Sequence, residues 1–162
     1  MAVLLGFLVL LLGAGGGGYW WFNYHVPDQQ ADTMRRTVQD VGAPVGFGPD
    51  TDGNPSGEPV EDAKPSGHGL YGIHVWYALH CPGGRCPTDP TVAITTWATR
   101  IGAAQLMSQF QLAAHCSDIG GCQQMIRRDG MVVELELKVA QDMGSPGPGI
   151  KYGIMVFVSL DV

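Results

Sequence analysis

The chain has 162 residues and a formal net charge of −6, with a sequence pI near 5.1. That acidic balance, with basic residues gathered only in pairs such as Arg35-Arg36 and Arg127-Arg128, excludes a nucleic-acid backbone as the main partner. Hydrophobic residues make up 45% and aromatic residues 9%, ample for one compact domain, although an apolar N-terminal run inflates the first figure.

That run extends from Ala2 to Phe22, 21 residues without a charged side chain. At about 1.5 Å per residue, a helix of this length spans roughly 31 Å, the thickness of a hydrocarbon core. The pattern predicts one N-terminal transmembrane helix over 1–22. A cleaved secretory signal is the competing reading, since Gly13, Ala14 and Gly15 could serve a peptidase, but such signals open on basic residues and none precedes Ala2. Gly13/Gly17 and Ala14/Gly18 form small-xxx-small pairs that let another helix approach closely in lipid. The same glycines, each costing about 1 kcal/mol against alanine in a soluble helix, also loosen the end of the span. Tyr19, Trp20, Trp21 and Phe22 make an amphipathic belt suited to the headgroup level.

Beyond the belt, the juxtamembrane segment 23–40 opens on Pro27 and Asp28 and reads as a short surface helix near the headgroups, with Met34 and Val38 four apart on one side. Segment 41–69 holds seven glycines and five prolines, the composition of a linker, and its length predicts that it is draped over something, such as another subunit. Within it, Asp50-Thr51-Asp52-Gly53-Asn54 and Glu58 offer hard oxygen ligands of the kind calcium takes. The glycine stands at the fourth place and not the sixth that a calcium loop wants, so ordinary turn chemistry is the better reading.

The extrinsic domain is expected over 70–162. Tyr71, Ile73, Val75, Tyr77 and Leu79 alternate as one face of a strand. Asp89 before Pro90 is a cap and first-turn pair, and the run from Trp97 to Ala114 favours a helix, although Val92, Ile94, Thr95 and Thr96 could begin as strand. Ile101, Leu106, Met107, Phe110 and Leu112 do not gather on one stripe of that helix. Gly130 after Arg127-Arg128-Asp129 looks like the stop of a second, shorter helix. Met131, Val133, Leu135, Leu137 and Val139 alternate with Val132, Glu134, Glu136 and Lys138, and after a glycine- and proline-containing loop Ile154, Val156, Val158 and Leu160 recur at every second position, which predicts a hairpin. The fold class is therefore α+β: a single N-terminal transmembrane helix and a small extrinsic domain with an antiparallel sheet and one or two helices.

The most distinctive local feature is a near-repeat, His80-Cys81 to Cys86 and His115-Cys116 to Cys122, each a His-Cys followed by a glycine-containing turn and a second cysteine. Disulfides among Cys81, Cys86, Cys116 and Cys122 are the leading reading, with three connectivities open. A four-cysteine zinc site is a looser match, because paired zinc ligands usually stand closer in sequence, and free or mixed thiols are the third reading. Disulfides imply an oxidising compartment and set an extracytoplasmic location against the faint opposite signal of Arg35 and Arg36.

No hydrolase elbow, phosphate loop, dinucleotide fingerprint or haem-attachment motif occurs. His25, His68 and His74 lack an identifiable partner for base catalysis, and Trp20, Trp21, Trp76 and Trp97 read as belt and core. The expectation is a non-enzymatic, cofactor-free accessory or assembly subunit of a multi-subunit membrane complex, energy-transducing or of the envelope, whose partners are the bilayer and other membrane subunits and not nucleic acid. The alternatives are a membrane-tethered thiol or metal module and a pilin-like filament subunit. The filament reading ranks last because the glycine run and Pro27 interrupt the long helix it needs.

Overall fold

A computed structural model describes residues 26–51, 58–63, 70–112, 116, 121–143 and 147–161. Gly13, Ala14, Gly17, Gly18, Tyr19, Trp20, Trp21 and Phe22, with the rest of the expected anchor, lie outside the described residues. Among the described residues no helix is long and apolar enough to cross a membrane. The elements run α1 Val26–Val41, β1 Gly48–Pro49, β2 Val60–Ala63, β3 Leu70–Pro82, α2 Pro90–Ile101, α3 Ala104–Leu112, β4 Cys122–Arg128, β5 Met131–Asp142 and β6 Gly149–Leu160.

The strands form one antiparallel sheet of order β1-β3-β6-β5-β4, with β2 also paired to β3. The expected hairpin is β5 and β6, in register from Met131 opposite Leu160 to Asp142 opposite Gly149. Its alternation does what the period of two demands: Val133, Leu135, Leu137, Ile154, Val156 and Val158 all point inward and are buried. On β3, Ile73, Val75 and Leu79 join them, with Tyr77 partly buried against the same core.

Helix α1 contributes Ala31, Met34, Val38 and Val41, spaced three or four apart so that they share one face. Met34 and Val38 do lie on one side, as their spacing predicts, and that side is core: α1 packs across β3 and β6. Two donors close its C-terminal end. Trp97 Nε1 and an Arg100 guanidinium nitrogen both donate to the Val41 carbonyl, at 2.9 and 2.6 Å, and Arg100 donates a further bond to the Asp40 carbonyl at 3.0 Å. A cation over the last carbonyls also suits the helix dipole.

Among the described residues α1 stands where the juxtamembrane helix is expected and two helices lie within 70–162, in line with the one or two expected there, but the central run is divided differently. Asp89 caps α2 by accepting from the N–H groups of Thr91 and Val92 at 2.9 and 3.2 Å, with Pro90 in the first turn. Val92, Ile94, Thr95 and Thr96 are thus helical, not strand. The predicted helix over Trp97–Ala114 is broken at Gly102, whose φ of 81° supplies the left-handed cap that ends α2. The break resolves the missing stripe: Ile101 belongs to one short helix and Leu106 and Met107 to another at a different angle, all buried.

The second expected helix, ending at Gly130, is a strand. Residues Cys122–Arg128 pair with β5 down to Arg128 opposite Met131, leaving Asp129 and Gly130 as a two-residue turn with φ of 52° and 75°. An Asp-Gly pair with both φ positive is a hairpin turn of the primed type, and it reads as a helix stop only when the flanking alternation of Gln124, Ile126 and Arg128 is overlooked. Segment 41–69, expected as linker, lays two short strands along β3, so part of it is sheet edge. Arg35 of α1 bonds Glu61 of β2, tying that edge to the helix.

Candidate functional site

Since all three helices bury their apolar faces in one cluster with the inward side chains of the sheet, the other side of the sheet has no helix packed on it among the described residues. The register dictates what that side presents. Residues opposite one another across β3, β6, β5 and β4 form rows: His74, Phe157, Glu134 and Met125; Trp76, Met155, Glu136 and Gln123; and, nearer the other end, Ala78, Gly153 and Lys138, then His80, Lys151 and Ala140. The first two rows are rich in large apolar side chains, and Met125 is 71% exposed. The last two are floored by small residues, which leave a shallow hollow of about 190 Å³ bordered by Asp50, Trp76, Lys138, Ala140, Lys151 and Gly153.

Several charges on this face are paired within it. Lys138 lies 3.2 Å from Glu136 and 5.3 Å from the centre of the Trp76 ring, a cation over an aromatic face. Lys151 meets Asp50 at 2.9 Å, with both side chains largely buried. His80 Nδ1 is 2.8 Å from Asp142 Oδ2, whose side chain is almost wholly buried. Asp50, suggested by its neighbours as a calcium ligand, is here engaged with a lysine. Of the residues grouped with it, Thr51 and Glu58 are exposed, and 52–57 lie outside the described residues.

The cysteines pair within each segment: Cys81 with Cys86 at an S–S distance of 2.08 Å and Cys116 with Cys122 at 1.90 Å. The first closes the end of β3 through Gly83 and Gly84, both with positive φ, and the second fastens residue 116 to the start of β4. Cys81, Cys116 and Cys122 are buried in the interior, and Cys86 is half-buried. Joined in this way, the four sulfurs are not a set of thiolate ligands, and the two His-Cys segments are not brought together as one site. Their histidines differ too, since His80 bonds Asp142 and His115 lies outside the described residues.

Among the described residues, three groups have displaced titrations. Burial raises the Tyr77 phenol above its ordinary value. Arg35 is raised chiefly by its hydrogen bond to Glu61 and Arg127 chiefly by its hydrogen bond to Asp161. None is joined to a nucleophile or a second titratable group in a way that suggests proton transfer. The signal that the open face is a surface of its own was the cluster of Trp76, Met155, Phe157 and Met125 on the polar side of otherwise regular alternation.

Compared with models of protein families, with curated proteins and with solved structures, the chain matches none.

Proposed function

We propose that the chain is a non-catalytic subunit of a membrane-bound assembly, anchored through Ala2–Phe22, whose extrinsic domain binds a protein partner on the open face of its sheet. One observation carries the reading: a sheet with three helices on one side and Trp76, Met155, Met125 and Val132 partly or largely exposed on the other. Aromatic and methionine side chains ringed by polar groups are the composition that protein interfaces favour. The disulfides support an oxidising, extracytoplasmic compartment. The anchor reading ends at Phe22 and α1 begins at Val26, so the three residues between them reach about 10 Å at most. That shortness supports a domain held against the bilayer surface, where neighbouring membrane subunits are within reach.

The test is recovery of the full chain from its native membrane in mild detergent, with a photo-crosslinking side chain placed at Trp76 or Met155, and at Val92 on the helical side as control. Crosslinks to a co-purifying subunit from the first two positions and not from the third are expected. A chain that purifies alone, or crosslinks only from Val92, overturns the proposal.

A further inference from the structure

The two edges of the sheet are closed in different ways. On the β3 side, β1 is two residues long and ends in Pro49, and β2 carries a register shift between Asp62 and Ala63. Short strands, proline and bulges are devices that stop an edge from recruiting another strand. On the other side, β4 is seven residues long, regular in its pairing, and contains neither proline nor glycine.

Which main-chain groups of β4 face outward follows from two bonds. The Gln123 N–H donates to Gln109 Oε1 at 2.9 Å, outside the ladder, and the Val139 N–H on β5 reaches the Cys116 carbonyl at 3.1 Å on the β4 side. In antiparallel pairing the direction alternates, so Cys122, Gln124, Ile126 and Arg128 bond β5 while Gln123, Met125 and Arg127 aim away from it. Gln109 closes the first of these. Met125 and Arg127 are left as a short, regular, open edge among the described residues.

We propose that this edge pairs with the same edge of a second copy, antiparallel, about a twofold axis through Ile126. In that register Met125 stands opposite the partner's Arg127 and exchanges two hydrogen bonds with it, and symmetry repeats the exchange. Neighbouring registers fail on named groups. An axis at Met125 requires the Gln123 N–H that Gln109 already holds, and an axis at Arg127 sets two arginines face to face. Centred on Ile126, Arg128 instead meets the partner's Gln124, and the stem of Arg127 covers the exposed Met125. The edge also carries its own counter-charges, Asp161 at 2.8 Å from Arg127 and Asp129 at 3.9 Å from Arg128. It therefore holds no surplus of charge that would favour an acidic segment over a copy of itself. So short a contact buries far less than the roughly 1,600 Å² of a standard interface, and the dimer is a weak, reversible one.

Sedimentation of the full chain in mild detergent, over a range of concentration, tests the pairing. Met125→Pro removes an N–H that points away from β5, so the ladder within the subunit is kept. It is expected to weaken dimerisation at least about tenfold while leaving the circular dichroism and unfolding midpoint unchanged. Ile126→Cys places thiols on the axis at a non-hydrogen-bonded pair, where Cα atoms stand about 4.5 Å apart, within disulfide range. It should yield a reductant-sensitive dimer, and Gln124→Cys should not. A chain monomeric up to about 0.1 mM, a dimer that survives Met125→Pro, equal crosslinking from both cysteine variants, or an edge occupied only by an extended segment of another protein overturns the proposal.

Discussion

The two disulfides contribute unequally to stability, and the structure sets the order. Both close small loops, with sequence separations of 5 and 6. On the loop-entropy account each then removes about 2 kcal/mol of advantage from the unfolded chain. The surroundings separate them. Cys116 and Cys122 are 0% and 1% exposed, so replacing both with alanine also leaves unfilled core, adding about 1 to 2 kcal/mol. Cys86 is half-buried, and its loss leaves a smaller void. We therefore expect Cys81→Ala/Cys86→Ala to cost about 2 kcal/mol and Cys116→Ala/Cys122→Ala about 3 to 4 kcal/mol. Together these are a large part of the roughly 5 to 15 kcal/mol that holds a typical domain folded, which would make the fold dependent on an oxidising compartment. Equilibrium urea unfolding followed by tryptophan fluorescence gives both values. Mild reductant on the native protein should open Cys81–Cys86 first, because Cys86 is half-buried while the other three cysteines are buried. Equal losses in the two double variants, each under about 1 kcal/mol, or reduction of Cys116–Cys122 first, would refute the reasoning.

Three further outcomes follow from particular contacts. A Cβ at Gly72 would meet the Phe157 ring at 2.6 Å and the Val158 carbonyl at 2.8 Å, so Gly72→Ala should cost about 1 to 3 kcal/mol in thermal or urea unfolding. Lys151→Met leaves the largely buried Asp50 without its ion pair; a loss of about 1 to 3 kcal/mol is expected, and it should shrink in the Asp50→Asn background, which a double-mutant cycle measures. Burial raises the Tyr77 phenol, so the unfolded chain releases that proton at lower pH than the folded one. Stability from this group is full below the ordinary phenol value of about 10 and falls as pH rises past it. Unfolding midpoints measured across that alkaline window should decline less steeply in Tyr77→Phe.

How far the fold could be read from sequence depended on whether a segment's own pattern or its neighbours decided its state. The β5–β6 hairpin is legible because nine apolar side chains recur at every second position and one pairing register turns them all to the core side. The strand at β3 was legible for the same reason. Met34 and Val38 were correctly placed on one side of a helix, but nothing local said that this side would meet the sheet, because burial of an amphipathic face is decided by what lies across from it. At 122–130 turn chemistry decides: Gly130 reads locally as a helix stop, whereas Asp129-Gly130 is a hairpin turn. At Gly102 the reverse held, and a real helix stop was overlooked inside an alanine- and glutamine-rich run. The open face was half legible. Which residues share it follows from parity alone, but the hollow beside Trp76 needed the lateral register that sets Ala78 and Gly153 side by side. The cysteine connectivity was beyond the sequence, since three pairings are equally compatible with the spacing.

The charges on the open face bear on how a partner would bind there. Lys138 is shared between Glu136 and the Trp76 ring, Lys151 is held by Asp50, and His80 by Asp142. A partner that covers this face therefore meets Lys138 and Lys151 already paired, while Glu134, between Met125 and Phe157, is the carboxylate it would have to match or leave at the rim. What it would remove from water is mainly Trp76, Met155, Met125 and Val132. Burying such side chains is worth about 1.5 to 3 kcal/mol each at best, before the cost of association is subtracted. Affinity on the proposed reading is thus mainly apolar in origin, with a salt dependence set chiefly by Glu134, since Lys138 and Lys151 are already paired within the face. The same internal pairing keeps the face compatible with water when no partner is present.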